Sequence, residues 1–321
     1  MLPRKEQADV ALDRCQGVIL AAGNASRMGP FGELFPKAIA PICNKPLLVY
    51  QIEHLRAVGI EDIVVVIGHL GHLITQALGD GAHLGVRLRY VEQHERLGLA
   101  HAVGQLEPHI DEPFMLFLGD IFFELTDLGV MMTAMAEHDC AAVLAVKEET
   151  DPEAVKRNFT VLLADDGRVR RVIEKSRHQH TVLKGCGLYL FDPCIFDAIR
   201  RTPRTAMRDE YELTDSIQIL IDYEYDVRIA PIVAWDINLT YTHDLIACCR
   251  HQLERLGKPH LVGEGCSLAD GVELVETVLG DGVVIKQAAR LERCVVLPGA
   301  HIAGGCSYTD QVLMPEVVQE D

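Results

Sequence analysis

Short runs of apolar residues alternate with helical patterns over the first two thirds of the chain. Four strands are predicted there, at residues 17–22, 62–67, 86–91 and 114–118. A helix is predicted to open at Pro46 and to stop at Gly59, and residues 98–106 are compatible with another. Strands separated by helices at this spacing predict an α/β fold with an open, mostly parallel sheet.

Two later regions break this rhythm. Between residues 140 and 192, strands follow one another without long helices, which predicts a mixed-sheet insertion. From Leu261 onward, apolar residues recur every six positions. One phase holds Val272, Val278, Val284, Val296 and Ile302, and a second holds Val262, Leu268 and Leu274. This period is the repeat of a parallel β-helix, and three hexads would close one coil. A β-helix of two or three coils is favoured over an irregular β-rich tail.

These patterns predict a larger domain over residues 15–258 and a short β-helix over 259–313, with tails at 1–14 and 314–321. The 321 residues carry 47 acidic and 30 basic side chains, a net charge of −17, which argues against nucleic-acid binding. Ten cysteines include no Cys-x-x-Cys spacing. Neither a secretory signal nor an apolar run long enough to span a membrane is found, so we expect a cytoplasmic protein without membrane contact.

The strongest chemical signal is a strand that runs into a loop of small residues, Leu20-Ala21-Ala22-Gly23. Bare backbone N–H groups in such a loop can approach an anion closely, and Arg27 and Lys37 add two cations nearby in sequence. This chemistry suits the stabilisation of a polyphosphate during displacement. The loop has neither the Walker A spacing nor the Gly-x-Gly-x-x-Gly fingerprint. Taken alone, Gly23 and Arg27 also fit an ordinary turn with surface cations.

The stretch Leu20-Ala-Ala-Gly-Asn-Ala-Ser-Arg-Met28, followed by Pro36-Lys37, resembles the opening signature of the sugar-1-phosphate nucleotidyltransferases, or NDP-sugar pyrophosphorylases. The resemblance continues through Gln93-His-Glu-Arg-Leu-Gly-Leu-Ala-His-Ala-Val103, Phe117-Leu-Gly-Asp120 and Glu210-Tyr-Glu-Leu-Thr-Asp215. Within the family, it is nearest to the long form of glucose-1-phosphate thymidylyltransferase, which carries a C-terminal left-handed β-helix.

The resemblance implies a Rossmann-like nucleotidyltransferase domain that joins a nucleoside monophosphate from an NTP, with dTTP or UTP favoured, to a sugar 1-phosphate. It implies Mg²⁺ as cofactor, held by Asp120 and by Asn238, with Asp236 as runner-up for the second position. It assigns charge stabilisation to Arg27, Lys37 and Lys175. It further assigns nucleotide binding to Leu20, Ala21, Ala22, Gly23, Gln93 and Gly98, and sugar-phosphate binding to Thr160, Glu174, Lys175 and Gly187.

The chain departs from the family pattern at three places. Ala25 replaces the second glycine of the opening signature, Thr160 replaces a glycine near the sugar, and the segment after Trp235 lacks its usual glycine. These departures leave the sugar open. His69, His72, His178 and His180 are interpreted as solvent or turn histidines, because no third metal ligand has a fitting spacing.

Other functions remain as alternatives to this interpretation. The same reaction with GTP, CTP or ATP and a non-glucose sugar phosphate is one, and a non-catalytic homologue that binds sugar nucleotides is another. A hexapeptide acyltransferase would need a longer β-helix, and His301 is the single histidine in the repeats from Leu261 onward. A homo-oligomer, dimer or tetramer, is expected because β-helices present faces and ends that can pair.

Overall fold

The computed structural model describes residues 14–151, 153, 155, 158–175, 181–206 and 209–315. Its helices are α1 Pro30–Leu34, α2 Leu47–Ala57, α3 Gly71–Leu78, α4 Leu99–Gly104, α5 Gly129–His138, α6 Ile195–Arg201, α7 Leu213–Asp222 and α8 Thr242–Arg255. The strands before the repeats are β1 Gln16–Leu20, β2 Pro41–Ile42, β3 Lys45–Pro46, β4 Asp62–Ile67, β5 Arg87–Glu92, β6 Phe114–Leu118, β7 Ile121–Leu125, β8 Ala142–Glu148, β9 Phe159–Leu163, β10 Val169–Glu174, β11 Leu183–Phe191, β12 Val227–Ala230 and β13 Val233–Asn238.

The repeats supply further strands, all of two or three residues. They are β14 His260–Val262, β15 Ser267–Leu268, β16 Glu273–Val275, β17 Thr277–Leu279, β18 Val284–Ile285, β19 Arg290–Glu292, β20 Val295–Val296, β21 His301–Ile302, β22 Ser307–Thr309 and β23 Val312–Leu313. By its contacts the chain divides into two compact units. The first unit comprises Met1–Ala22 and Gln51–Asp236, and the second comprises Gly23–Tyr50 and Ile237–Asp321.

The first unit is built on a nine-stranded sheet whose main path is β10-β9-β11-β6-β1-β4-β5. Strand β1 lies between β4 and β6 and is parallel to both, and β5 runs parallel to β4. Strand β11 forms antiparallel pairs with β6, β8 and β9, and β10 pairs antiparallel with β9. The predicted parallel sheet and the mixed-sheet insertion at 140–192 are therefore both confirmed. Predicted strands 62–67 and 114–118 match β4 and β6 residue for residue.

The second unit contains the hairpin β2–β3, helix α8 and a parallel β-helix. Three parallel sheets run along the β-helix, in the orders β14-β17-β20-β23, β15-β18-β21 and β16-β19-β22. Successive coils stack directly, with His260 beside Thr277 and Ser267 beside Val284. The three coils confirm the predicted short β-helix.

The predicted apolar phase of the β-helix needs a correction, because each coil is one residue shorter than three full hexads. The internal stack follows Val262, Leu268 and Leu274, and then continues through Leu279, Ile285, Leu291, Val296 and Ile302. One step in each coil therefore spans five positions instead of six. Val278 pairs with Val295 and not with Val296. Val296 belongs to the internal cluster, whereas Val278 and Val295 do not. Helix α8 contacts their strands, so the two valines are buried without facing inward.

The predicted division after residue 258 falls between α8 and β14, and it stays a prediction of where the domains separate. The predicted tails lie mostly outside the described residues. None of the helices in the described part of the chain combines the length and the apolar character that crossing a bilayer requires.

Candidate active site

The carboxyl ends of the parallel strands β1, β4, β5 and β6 meet at one edge of the sheet in the first unit. The backbone of Ala21 donates to Val66 over 2.7 Å, and a Cβ on Gly68 would lie 3.0 Å from the carbonyl oxygen of Ala22. Leu20, Ala21 and Ala22, predicted to bind nucleotide, are thus fixed at the edge where α/β sheets bind their ligands.

Asp120 lies in the turn that joins β6 to β7, at the same edge. The preceding Gly119 donates its backbone N–H to Leu20 over 2.9 Å, and a Cβ there would lie 2.8 Å from that same oxygen. Only a glycine allows the turn to approach β1 so closely. The Asp120 side chain is half-buried. A half-buried carboxylate fits Mg²⁺, which takes oxygen ligands and keeps several waters or phosphate oxygens.

Four predicted site residues belong to the second unit. Gly23 is exposed, Arg27 is exposed on a single 3-10 turn, Ser26–Met28, and Lys37 is 5% exposed on a second, Lys37–Ile39. Asn238 is exposed at the end of β13, where its Oδ1 accepts a 3.5 Å hydrogen bond from Thr240.

The structure shows how the loop accommodates Ala25. Its methyl group is buried, and a Cβ on Gly32 would overlap the carbonyl oxygen of Ala25. The loop therefore folds back on itself and directs the extra methyl inward. Because of this packing, Ala25 does not display a side chain at the loop surface.

Gln93 and Gly98, for which the family resemblance implies contacts to the nucleobase, lie on one loop of the first unit. Residues 93–98 are called the base-reading loop after this expected role. Gln93 follows β5, is buried, and donates its side-chain amide to the carbonyl of Glu95 over 3.0 Å. Gly98 has φ 110°, and a Cβ there would overlap the carbonyl oxygen of Tyr211 and lie 2.6 Å from its nitrogen. Tyr211 also donates to Leu97 over 2.7 Å. Tyr211 thus fixes the base-reading loop, a role that its sequence motif alone did not predict.

Glu174 and Lys175 are brought together at the end of β10. The Lys175 ammonium lies 3.4 Å from Glu174 Oε1, and Thr214 donates to Glu174 Oε2 over 3.4 Å. Lys175 has a left-handed backbone conformation, with φ 44°, and donates its backbone N–H to the carbonyl oxygen of Asn158 over 3.1 Å. Its side chain is exposed. The Glu-Lys pair and the 210–215 element therefore form one polar cluster.

Gly187 and Thr160 lie on neighbouring strands, and they differ in what they offer a ligand. Gly187 has φ 70°, and a Cβ there would lie 2.6 Å from Ile121 and 2.8 Å from Leu118, which flank the Asp120 turn. Thr160 is only 1% exposed, and its hydroxyl has no hydrogen-bond partner among the described residues. Its hydroxyl is therefore not presented to solvent in this structure.

A buried ionic network engages Asp236. Lys184 Nζ donates to both carboxylate oxygens of Asp236, over 2.8 and 2.7 Å, and Lys147 Nζ lies 2.9 Å from one of them. Burial lowers the pKa of Lys147, but its bond to Asp236 and the nearby acidic charges outweigh burial and raise that pKa overall. Burial and the Asp236 charge raise the pKa of the Cys186 thiol to about 12. Asp236, the runner-up metal ligand, thus already accepts contacts from two lysines.

The four histidines that the sequence singled out can be described in part. His69 sits in the turn before α3, His72 lies on α3, and both are exposed, whereas His178 and His180 lie outside the described residues. Across the described part of the chain, no group of three or more His, Cys, Asp or Glu side chains could hold a metal ion.

Comparison with known proteins identifies the family. Residues 16–236 match the nucleotidyl transferase family, which is more than half of the chain. The chain belongs to this family. A glucose-1-phosphate thymidylyltransferase of Streptomyces antibioticus is 31% identical over 302 residues, covering 94% of this chain and 81% of that protein. A UTP–glucose-1-phosphate uridylyltransferase of Haloferax volcanii is 35% identical over 229 residues, covering 71% and 93%.

This nucleotidyl transferase also has its fold in common with solved structures. A UDP-glucose pyrophosphorylase complexed with UDP-glucose superposes with a TM-score of 0.65 at 21% identity, covering 75% of this chain and 99% of that chain. The predicted family and fold class are therefore confirmed. The roles assigned to individual site residues stay predictions.

Proposed function

We propose that this nucleotidyl transferase moves a nucleoside monophosphate from dTTP or UTP to a sugar 1-phosphate and releases pyrophosphate. One observation carries the proposal: in the first unit, the Asp120 turn is hydrogen-bonded through Gly119 to Leu20 at the end of β1. The side chains of Leu118 and Ile121, on either side of this turn, pack against Gly187 on β11. Predicted nucleotide-binding and sugar-binding residues therefore flank one carboxylate. We assign the reaction to the cytoplasm, where thiols such as the ten cysteines here stay reduced.

The proposed chemistry is a single in-line displacement. An oxygen of the sugar phosphate forms a bond to the α-phosphorus while the bond from that phosphorus to pyrophosphate breaks, so no covalent enzyme intermediate is needed. Asp120 would hold Mg²⁺, which supplies charge neutralisation on the reacting phosphates when bound. Arg27, Lys37 and Lys175 would stabilise the negative charge that remains, and Asn238, rather than the paired Asp236, would be the second oxygen ligand.

The preference for a pyrimidine nucleotide rests on the base-reading loop. The thymidylyl- and uridylyltransferase names of two relatives support it. The Gln93 amide and the Gly98 backbone can together offer the donors and acceptors that a pyrimidine edge requires. Gln93→Ala should weaken the use of dTTP and UTP by about tenfold to a hundredfold, because a buried polar contact is worth about 1–3 kcal/mol. An equally large rise in the Michaelis constant for the sugar 1-phosphate would contradict this role.

Asp120→Asn tests the proposed reaction centre. The variant keeps the shape of the turn but removes the charged ligand, so most of the pyrophosphate release should be lost while the melting temperature stays near that of the wild type. Asp111→Asn, at an exposed aspartate before β6, is the matched control. Near-normal turnover by Asp120→Asn would exclude Asp120 as the metal ligand.

We also propose that the chain assembles into a homo-oligomer, dimer or tetramer, through the end of its β-helix. Val262 and Leu268 continue the internal apolar stack, yet both are 39% exposed, and β14, β15 and β16 are edge strands. Open edges and exposed apolar residues favour pairing. Val262→Asp with Leu268→Asp should reduce the mass measured by light scattering. An unchanged mass would exclude this end as the interface.

A further inference from the structure

A single buried side chain in the first unit spans the turn that carries Asp120. Gln51 Nε2 donates to the carbonyl oxygen of Leu118 over 2.9 Å and to that of Ile121 over 2.8 Å. These two residues end β6 and begin β7, so one amide group bridges both sides of Gly119-Asp120.

The position of Gln51 in its helix makes this contact unusual. Helix α2 buries Leu48, Ile52 and Leu55 on its apolar face, and Gln51, at 1% exposed, lies on that face as well. A polar side chain costs free energy when it is buried without partners. In the described part of the chain, the Oε1 of Gln51 has no hydrogen-bond partner, so the Nε2 bonds to the turn are what compensates its burial.

We propose that Gln51 is a positioning residue for Asp120, which it serves by fixing the backbone on both sides of the turn. The inference rests on the proposed function, in which Asp120 holds the metal. Gln51 touches neither substrate nor metal in this account. It sets the direction of the carboxylate by holding the carbonyls of Leu118 and Ile121 a fixed distance apart.

A purely structural role would have different consequences. If Gln51 only anchored α2 to the sheet, its replacement would lower stability and leave metal affinity unchanged. If it positions Asp120, metal affinity should fall even in a variant that remains folded. Partners that orient metal ligands typically contribute about tenfold to a hundredfold to metal affinity. Metal affinity therefore separates the two roles.

The experiment compares Gln51→Leu, which keeps the bulk of the side chain and removes the donor, with Ile52→Val, a packing control on the same face. Both are measured in the full chain with UDP-glucose present, beside the wild type and Asp120→Asn. Binding of Mn²⁺ is followed by the electron paramagnetic resonance signal of the free ion, and folding is followed by thermal melting. Metal binding is thus read without turnover.

Gln51→Leu should weaken Mn²⁺ binding by about tenfold or more, and Ile52→Val should leave it within about twofold. Wild-type affinity in Gln51→Leu, with loss in Asp120→Asn, would overturn the role of Gln51 alone. Equal affinity in the wild type and Asp120→Asn would instead overturn the assignment of Asp120, and this inference with it. If Gln51→Leu fails to fold, Gln51→Met is measured in its place, with the same expected loss.

Discussion

Lys184 and Asp236 form a buried ion pair in which one ammonium group donates to both carboxylate oxygens, over 2.8 and 2.7 Å. Their side chains are only 5% and 6% exposed. Lys147 on β8 also contacts Asp236, and Glu149 lies 3.3 Å from Lys147, so two cations face two carboxylates. The pair joins β11, the strand of Gly187, to β13, the strand that ends in Asn238. Asp236 is therefore already engaged in linking these two strands.

Removing Lys184 should be costly. Lys184→Met leaves Lys147 as the one cation beside two carboxylates, those of Asp236 and Glu149. One negative charge is then uncompensated, and breaking a buried pair in this way costs about 3–5 kcal/mol. Urea unfolding measures the change in the free energy of unfolding. The double variant Lys184→Met with Asp236→Leu should recover part of the loss. A cost below about 1 kcal/mol for Lys184→Met, typical of an exposed pair, would contradict the buried network.

A methyl group at Gly98 should displace the base-reading loop. Gly98→Ala meets a strained positive φ and the backbone of Tyr211, so the Michaelis constant for the nucleotide should rise by about tenfold or more. Gly59→Ala is the matched control, because Gly59 also has a positive φ, 82°, but beyond its own chain neighbours no atom of the described residues lies within 4 Å of where its added methyl group would sit. If both variants keep the wild-type Michaelis constant, the loop does not depend on the close approach to Tyr211.

Asp215 should destabilise the fold at neutral pH. Burial, and then the charge of Glu212, raise the pKa of Asp215 above its ordinary value. A carboxyl group whose pKa is raised in the folded state lowers the free energy of unfolding when it ionises. This destabilisation is present above the unfolded pKa, about 4, and disappears below it. Asp215→Asn should therefore raise the melting temperature at pH 7 but not at pH 3. The exposed Asp165→Asn is the control, and an equal effect at both pH values would contradict the account.

In the observed register of the β-helix, adjacent residues differ in whether their side chains belong to the internal stack. Ile285 belongs to the internal stack and Val284 does not. Ile285→Ala should cost about 2–5 kcal/mol of unfolding free energy, and Val284→Ala much less, since only the first leaves an internal cavity. Chemical denaturation of the full chain measures both. The reverse order would restore the unbroken six-residue phase that places Val284 inside.

Local sequence predicts an element well when its environment is uniform along its length. β4 and β6 are covered on both faces, so their continuous apolar runs mark their ends as well as their presence. The predicted inward-facing positions of the β-helix were wrong because its strands do not have a uniform environment. Val278 and Val295 are apolar because their strands contact α8, which adds valines to the pattern that do not face the interior.

Local motifs predict the candidate site residues, but they do not predict the residues that hold the surrounding backbone and side chains in place. Asp120, Gly98 and the Glu174-Lys175 pair are all found from short motifs. Gln51 and Lys184 are not, because each acts on a residue more than 50 positions away and neither lies in a distinctive local pattern. Such pairings become visible only when the sheet has brought the strands together.

A screen of pyrophosphate release tests whether the chain transfers a nucleoside monophosphate to a sugar 1-phosphate. The full chain is given dTTP, UTP, CTP, GTP or ATP with a panel of sugar 1-phosphates and Mg²⁺, and pyrophosphate is measured against reactions that lack the sugar phosphate. Pyrophosphate release should depend on the sugar 1-phosphate and should be fastest with dTTP or UTP. Faster release with GTP would contradict the pyrimidine preference, and no release with any pair would contradict the proposed transfer itself.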